Sequence, residues 1–480
     1  MTTSRADDEL LADPPVTADA PTPVARLVVA VLCLGGLTAS LTQTLVIPLQ
    51  GELPQLLRTS AANASWVVTA TLLGAAVVMP IAGSLGDLFG KQRVLVASAA
   101  MLVIGSTVCA LSDSLAPVLA GRALQGLSMG FIPVGISMMR EITPPHMTAT
   151  AIAAMSATLG VGGAIGLPLS AWIADNWDWH TLFWVSAGLA AVITLLTVVV
   201  VPHVHDAHGG RFDVPGAIGL AVGLVLFLVA VSKGNEWGWD TSRPWLVGAA
   251  GVVVLVGWGL LQLRTHQPLV DLRVTAQRPV LLTNISATAI GFGMMAQAIV
   301  VPQLMLLPEA TGFGLGQSIL HAGLWMAPGG LVMMAFAPIS SRLMRTIGPK
   351  LTLVIGALVI GAGYVVAFFL DGAAWQLLLA SCISSAGVGI GYAAMPTLIM
   401  MSVPEREAGA AVGLNGLMRS IGTTLASAVM IAILTSATTQ LGGFPVPTEG
   451  AFRACFLVGA VAAVLGAAIA GAIPARRPRG

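Results

Sequence analysis

The chain of 480 residues is cut by its charged residues into fourteen apolar stretches, each long enough to cross a bilayer. A helix needs about 20 apolar residues to span the hydrocarbon core. That ruler predicts spans near 27–49, 65–85, 94–112, 115–138, 150–174, 181–202 and 214–232, then 245–263, 280–303, 318–340, 351–370, 374–401, 409–435 and 451–473. Only 9% of the residues are charged, where a soluble domain carries about 25%. Backbone polar groups in hydrocarbon must be satisfied within the segment, so the short connections leave one fold class: an all-α integral membrane protein.

Basic residues test the count. With the N-terminus inside, Lys91, Arg93, Arg140, Arg211, Arg264, Arg273, Arg278, Arg342, Arg345, Lys350 and Arg406 fall on the inner side. The outer segments hold only Arg58, Lys233, Arg243 and Arg453. The asymmetry follows the positive-inside rule and would collapse if one early span were miscounted. It predicts a multi-pass protein of the cell membrane with both termini cytoplasmic. Trp177, Trp179, Trp237, Trp239 and Trp245 read as an outer aromatic belt. Residues 1–24 are polar, acidic and proline-containing, unlike a cleaved signal, and read as a disordered cytoplasmic tail; 474–480 read as a second tail. Cys33, Cys109, Cys382 and Cys455 lie in apolar segments with no metal or redox spacing.

A charged turn, Gly86 through Arg93, joins spans 2 and 3. A weakened copy aligns Pro338–Lys350 on Pro80–Gln92, 258 residues on (Gly90 to Gly348), with Pro80, Ile81, Leu85 and Gly90 recurring as Pro338, Ile339, Leu343 and Gly348. The acid does not recur, since Asp87 aligns with Arg345. The copies lie eight spans apart, where two six-span halves would put them six apart. Two spans are therefore inserted. The expected organisation is a six-helix bundle over 25–202, an inserted helical hairpin over 203–264 and a second six-helix bundle over 265–473.

Several motifs in this order resemble the major facilitator superfamily, in its fourteen-span drug:proton antiporter family. Gly86-Asp87-x-x-Gly90-Lys91-x-Arg93 matches its loop motif, and Arg122-Ala123-Leu124-Gln125-Gly126 its arginine motif. Span 5, with Gly160, Gly162, Gly163, Gly166 and Pro168, is similar to the glycine-rich antiporter motif, though Leu167 stands between the last glycine and the proline. Arg211–Gly216 and Asn235–Trp239 resemble segments of the fourteen-span family. The resemblance implies the major facilitator fold and a transporter working by alternating access.

Each motif also has a physical reading. The resemblance implies that Asp87, with Arg93 alongside, contacts the start of span 13 near Gly409 and latches the two bundles shut on the inside; the positive partial charge of those amides would supply the force. A loop that merely fixes topology is the rival. Arg122 lies about seven residues into span 4 and is expected to face the bundle interior, or else to snorkel outward. The resemblance implies a part in proton coupling or in ordering the cavity, with Gln125 and Gly126 on nearby turns. Asn415 and Arg419 share a helical face near the midplane of span 13, for substrate binding or for a structural hydrogen bond. Span 5 reads as a closely packed, kinked helix.

The family's span 1 acid is replaced by Thr42. Glu52, Asp113, Glu141, Asp175, Glu309 and Asp371 fall at ends or in loops, and His321 near an outer end. Thr42, Gln43, Asn284, Gln297, Asn415 and Arg419 are expected to line an uncharged or positive cavity, with Met294, Met295, Met326, Met333, Met334, Met395, Met400 and Met401 as adaptable apolar walls. Such a cavity favours neutral or anionic amphiphiles over lipophilic cations.

Three function classes follow. The first is an exporter of hydrophobic or amphiphilic small molecules such as drugs, antibiotics or secondary metabolites, driven by the proton motive force and working as a monomer. The second exports a lipid-like product with weak or no proton coupling. The third is a non-transporting sensor or scaffold. An enzyme would need clustered catalytic groups, and His203, His205 and His208 form the only cluster. No cofactor, resident metal or nucleic-acid partner is expected.

Overall fold

The computed structural model describes residues 23–47, 49, 52–203, 211–404, 407–441 and 444–474. The tail segments 1–22 and 475–480 lie outside them, as do His205, His208 and Arg406. Among the described residues, 14 helices are long and apolar enough to cross a membrane. Spans 1–7 are Val24–Thr44, Trp66–Phe89, Lys91–Ala110, Leu115–Ile142, Pro145–Ala174, His180–Val200 and Val214–Trp237. Spans 8–14 are Ser242–Arg264, Arg278–Leu306, Leu320–Thr346, Gly348–Phe369, Ala374–Ser402, Ala408–Ser436 and Glu449–Gly471.

Several expected ends move. Span 2 continues through Gly86, Asp87, Leu88 and Phe89, and span 3 starts at Lys91, so the charged turn shrinks to Gly90 alone. Its φ of +98° is open to glycine and strained for other residues. Gly348, its repeat partner, turns with φ +84°. Lys233, expected in an outer loop, lies inside span 7 and is only 2% exposed. Among the described residues the one sheet is a short antiparallel hairpin between spans 13 and 14, pairing Thr438–Leu441 with Phe444–Pro447.

Helix pairing repeats eight spans on. Span 1 packs on 5 and 6, span 2 on 4, and span 3 on 4 and 6; span 9 packs on 13 and 14, span 10 on 12, and span 11 on 12 and 14. Spans 4 and 12, which correspond, are both interrupted midway. Span 4 passes through a 3-10 turn at Ser128–Gly130, and span 12 breaks between Gly391 and Ala394. Two pairs make the broad contacts between the sets, 2 with 13 and 5 with 10, and span 4 also meets span 13.

The 2–13 seam is built on glycine. A Cβ on Gly413 would fall 2.8 Å from the Met79 carbonyl carbon and 2.9 Å from Pro80 Cα, and one on Gly83 would fall 2.5 Å from the Gly409 carbonyl carbon. Close backbone approach is what holds helices together in lipid, where no hydrophobic drive separates helix from solvent. Gly413→Val therefore forces backbone apart rather than a flexible side chain, at a cost of about 1–3 kcal/mol. The expected result is a lower thermal unfolding midpoint in detergent; an unchanged midpoint would mean the seam yields freely.

Span 7 lies along this seam. Leu220, Leu224 and Leu228, one turn apart, bury against Ala76 of span 2 and against Leu414 and Leu417 of span 13. At its far end Lys233 Nζ donates to Ser65 Oγ and, at 2.8 Å, to Glu236 Oε2, 4.8 Å from the Trp66 ring centroid. Asn235 Nδ2 donates to Ala428 O of span 13 at 3.1 Å. At its near end Asp213 accepts from Gly216 N at 2.8 Å, Gln262 Nε2 at 2.6 Å and Leu269 N at 3.3 Å. That set joins span 7 to span 8, whose outer face, including Trp245 and Val253, is exposed.

Candidate functional site

Three polar centres lie at different depths. The first is at the face carrying the N-terminus of span 1. Span 13 starts at Ala408, so the amides of Gly409 and Ala410 have no acceptor within their own helix. Asp87 supplies it from span 2: Gly409 N donates to Oδ1 at 3.3 Å and Ala410 N to Oδ2 at 3.0 Å. The carboxylate thus does from another helix what an N-cap side chain does locally, against the positive end of the helix dipole. It is 9% exposed.

The cation beside it is Lys91, at 3.7 Å, not Arg93, whose side chain is exposed. Lys91, the first residue of span 3, reaches Asp87 across the Gly90 turn and also pairs with Glu141 at the end of span 4. Two further contacts cross the same face, neither anticipated. Arg140 Nη1 donates to Met400 O at 2.9 Å, and the hydroxyls of Thr150 and Ser341 are bonded at 2.7 Å. Ser341 is the repeat counterpart of Gly83, so both seams use the same register, one through bare backbone and one through hydroxyls. Arg345, the counterpart of Asp87, is exposed. Span 5, the repeat partner of span 13, opens at Pro144 and Pro145, which lack N–H donors.

The second centre surrounds Arg122, which is 0% exposed, so the outward-snorkelling reading is excluded. Nε donates to Val67 O at 3.1 Å; Nη1 donates to Thr42 O at 3.2 Å and to Gln125 Oε1 at 2.7 Å. Gln125 Nε2 donates in turn to Ser106 Oγ at 2.8 Å. One guanidinium therefore fastens spans 1, 2 and 4 directly and span 3 through Gln125. Gly126 lets spans 2 and 4 touch: a Cβ there would meet Thr71 O and lie 3.0 Å from Gly74 Cα. Gly86 is less constrained, with Val134 Cγ1 at 3.3 Å.

Of the six residues expected to line a cavity, four are turned into packing instead. Thr42 is 1% exposed and its hydroxyl donates to Thr38 O at 2.7 Å. Asn415 Nδ2 donates to Asn284 Oδ1 at 2.9 Å, joining spans 13 and 9, with both residues buried. Gln297 Nε2 donates to Ser381 Oγ at 3.2 Å, joining spans 9 and 12. Gln43 and Arg419 are only half-buried. Arg419 does not act with Asn415; its guanidinium carbon lies 4.2 Å from the ring centroid of Tyr392, which the sequence reading passed over. The available signal was rarity: there are 2 tyrosines in the chain, and Tyr392 interrupts an apolar span.

In span 5 the glycines serve different neighbours. A Cβ on Gly160 would strike Met333 Sδ of span 10, across the second seam. One on Gly162 would lie 2.5 Å from Ser40 Oγ and 2.8 Å from Leu41 N, and one on Gly166 would strike Thr44 Oγ1, all in span 1. Gly163 is open, its nearest neighbour 3.9 Å away. Pro168 lies within a helix that runs unbroken from Pro145 to Asn176. The methionines divide: Met333, Met395 and Met400 are buried, while Met334 and Met401 are exposed. His321 bonds Ser318 Oγ at 2.7 Å at the start of span 10. Among the described residues no group of His, Cys, Asp and Glu could hold a metal ion.

Comparison with known proteins fits this geometry. A family model described as Major Facilitator Superfamily matches residues 32–427. The chain is 26% identical over 383 residues to a multidrug resistance protein B homolog of Mycobacterium tuberculosis, covering 77% of this chain and 69% of that one. It is 24% identical over 375 residues to the multidrug transporter protein MdtP of Bacillus subtilis, covering 77% and 68%. Among solved structures, the human organic anion transporter MFSD10 superimposes with TM-score 0.64 at 16% identity, over 95% of this chain and 100% of that one. The proton:xylose symporter XylE superimposes with TM-score 0.65 at 14% identity, over 95% and 97%.

Proposed function

This chain belongs to the Major Facilitator Superfamily, a family of transporters rather than enzymes, and from that premise we propose that it exports hydrophobic or amphiphilic small molecules by alternating access, in exchange for protons. The observation that carries the reading is the Asp87 cap on span 13. It is a bond between two helix sets, made of a charge and a helix end, and it can break and re-form as the sets rock. With Arg140–Met400 and Thr150–Ser341 it closes the N-terminal face, and the excess of basic residues there supports a cytoplasmic side in a cell membrane; the protein works as a monomer in this reading. Export rather than import is supported by the relatives named for multidrug resistance.

The replacement of a span 1 acid by Thr42, buried and bonded within its own helix, favours a second reading in which a lipid-like product leaves with weak or no proton coupling. Reconstitution into liposomes with an imposed pH gradient separates the two. Proton movement is recorded while neutral, anionic and cationic amphiphiles are added. The antiport reading expects substrate-dependent collapse of the gradient. Substrate movement indifferent to the gradient would overturn it in favour of the second.

A further inference from the structure

We propose that Arg419, resting on the ring of Tyr392, is the docking point for the acidic group of the carried molecule, so that lipophilic acids are among the substrates. The inference rests on the exporter reading and narrows its substrate class. Arg419 lies eleven residues past Ala408 at one end of span 13, and Tyr392 lies ten before Ser402 at the same end of span 12. At 1.5 Å per residue both are about 15 Å deep, near the middle of the bilayer. Tyr392 is 3% exposed, whereas Arg419 is half-buried. A guanidinium at that depth, stacked on a buried ring, is expected to face the bundle interior rather than lipid.

Its donors are not used up. Among the described residues no carboxylate pairs with it and no hydrogen bond engages its nitrogens, in contrast to Arg122 with its three acceptors. The Tyr392 face attracts the cation through its π-cloud but accepts none of the five N–H groups lying in the guanidinium plane. That planar fork matches a carboxylate or sulfonate. The backbone also makes room for it. A Cβ on Gly291 of span 9 would lie 2.9 Å from Arg419 Cγ, and one on Gly416 would lie 3.7 Å from its Nη2. Met79 of span 2 reaches the same spot, since the Cβ on Gly416 would also lie 2.7 Å from its Sδ, which brings a polarizable apolar surface near the charge. A cation and an apolar wall at one depth suit an acid with a hydrophobic body, and oppose a lipophilic cation by like-charge repulsion.

Three fluorescent compounds sharing one body provide the test: dansylglycine (anion), dansylamide (neutral) and dansylcadaverine (cation). Binding to the purified full chain in lipid nanodiscs is measured by anisotropy for wild type, Arg419→Gln and Arg419→Lys. Wild type is expected to prefer dansylglycine. Arg419→Gln should lose about tenfold or more for dansylglycine, as for one charged hydrogen bond, and leave dansylamide unchanged, which also shows that the variant is folded. Arg419→Lys should recover part of the loss. Equal binding of dansylglycine and dansylamide by wild type, or an Arg419→Gln variant that binds dansylglycine normally, overturns the proposal. The liposome experiment stands apart from this one. Anion binding through Arg419 without any transport would sink the exporter reading and keep the subsite, and transport indifferent to Arg419 would do the reverse.

Discussion

Asp87→Asn is expected to stop transport while leaving the protein inserted and folded. The carboxylate accepts two amides from the opening turn of span 13. A hydrogen bond to a charged group contributes about 1.5–3 kcal/mol, and the helix end adds about 0.3–1 kcal/mol. Asparagine keeps one acceptor but loses the charge and turns its NH2 donor toward the other amide. The shift away from the closed N-terminal face should therefore be tenfold or more, taking about 1.4 kcal/mol per decade. Thr150→Cys, placed beside Ser341 on the same face, reads this out. Its labelling by a membrane-impermeant maleimide from the N-terminal side should rise in the Asp87→Asn background as transport falls. Normal transport by that variant would remove Asp87 from the gate.

The second large effect is at Arg122, where conserving the charge should not rescue the protein. Lysine has a point-like ammonium and cannot reach Val67 O, Thr42 O and Gln125 Oε1 together. A buried charge stripped of its partners costs about 3–5 kcal/mol. Arg122→Leu removes the charge and leaves Gln125 Oε1 without its donor, at about 1–3 kcal/mol. Arg122→Lys is thus expected to be the less stable of the two in detergent, and both to lose transport. A lysine variant as stable as wild type would mean that the head reaches water, against the complete burial observed.

The fourteen spans were legible because bilayer thickness imposes one length on every crossing, and the repeat was legible because Gly90 and Gly348 must both turn with positive φ. The Asp87 contact with Gly409 was implied by the resemblance of the loop motif, and helix-end electrostatics explains why it holds. What sequence conceals is direction around a helix. Asn284 and Asn415 are polar residues in apolar spans whether they face a cavity or one another, and their bond joins residues far apart in the chain. Helix ends were missed for a related reason. Leu88 and Phe89 can continue a helix beyond the hydrocarbon, so hydropathy stops before the hydrogen bonding does. Lys233 was set outside because charge is expensive in lipid, yet Ser65, Glu236 and the Trp66 ring receive it within the span. The hairpin pairing Thr438–Leu441 with Phe444–Pro447 had a sequence signal in the dipeptide Gly442-Gly443, a pair common between hairpin strands.

Span 7 also bears on what a molecule dissolved in the membrane would meet. The two helix sets touch along two seams that are equivalent by repeat, 2 with 13 and 5 with 10. Leu220, Leu224 and Leu228 wedge span 7 along the first, and Lys233 and Asn235 pin it to both walls. The second seam carries no inserted helix; Leu324, Leu331 and Met334 of span 10 are exposed along it. Span 7 thus gives the repeated pairing a front and a back. Among the described residues, a molecule arriving through the bilayer would meet span 7 at the 2–13 seam and the bare side of span 10 at the other.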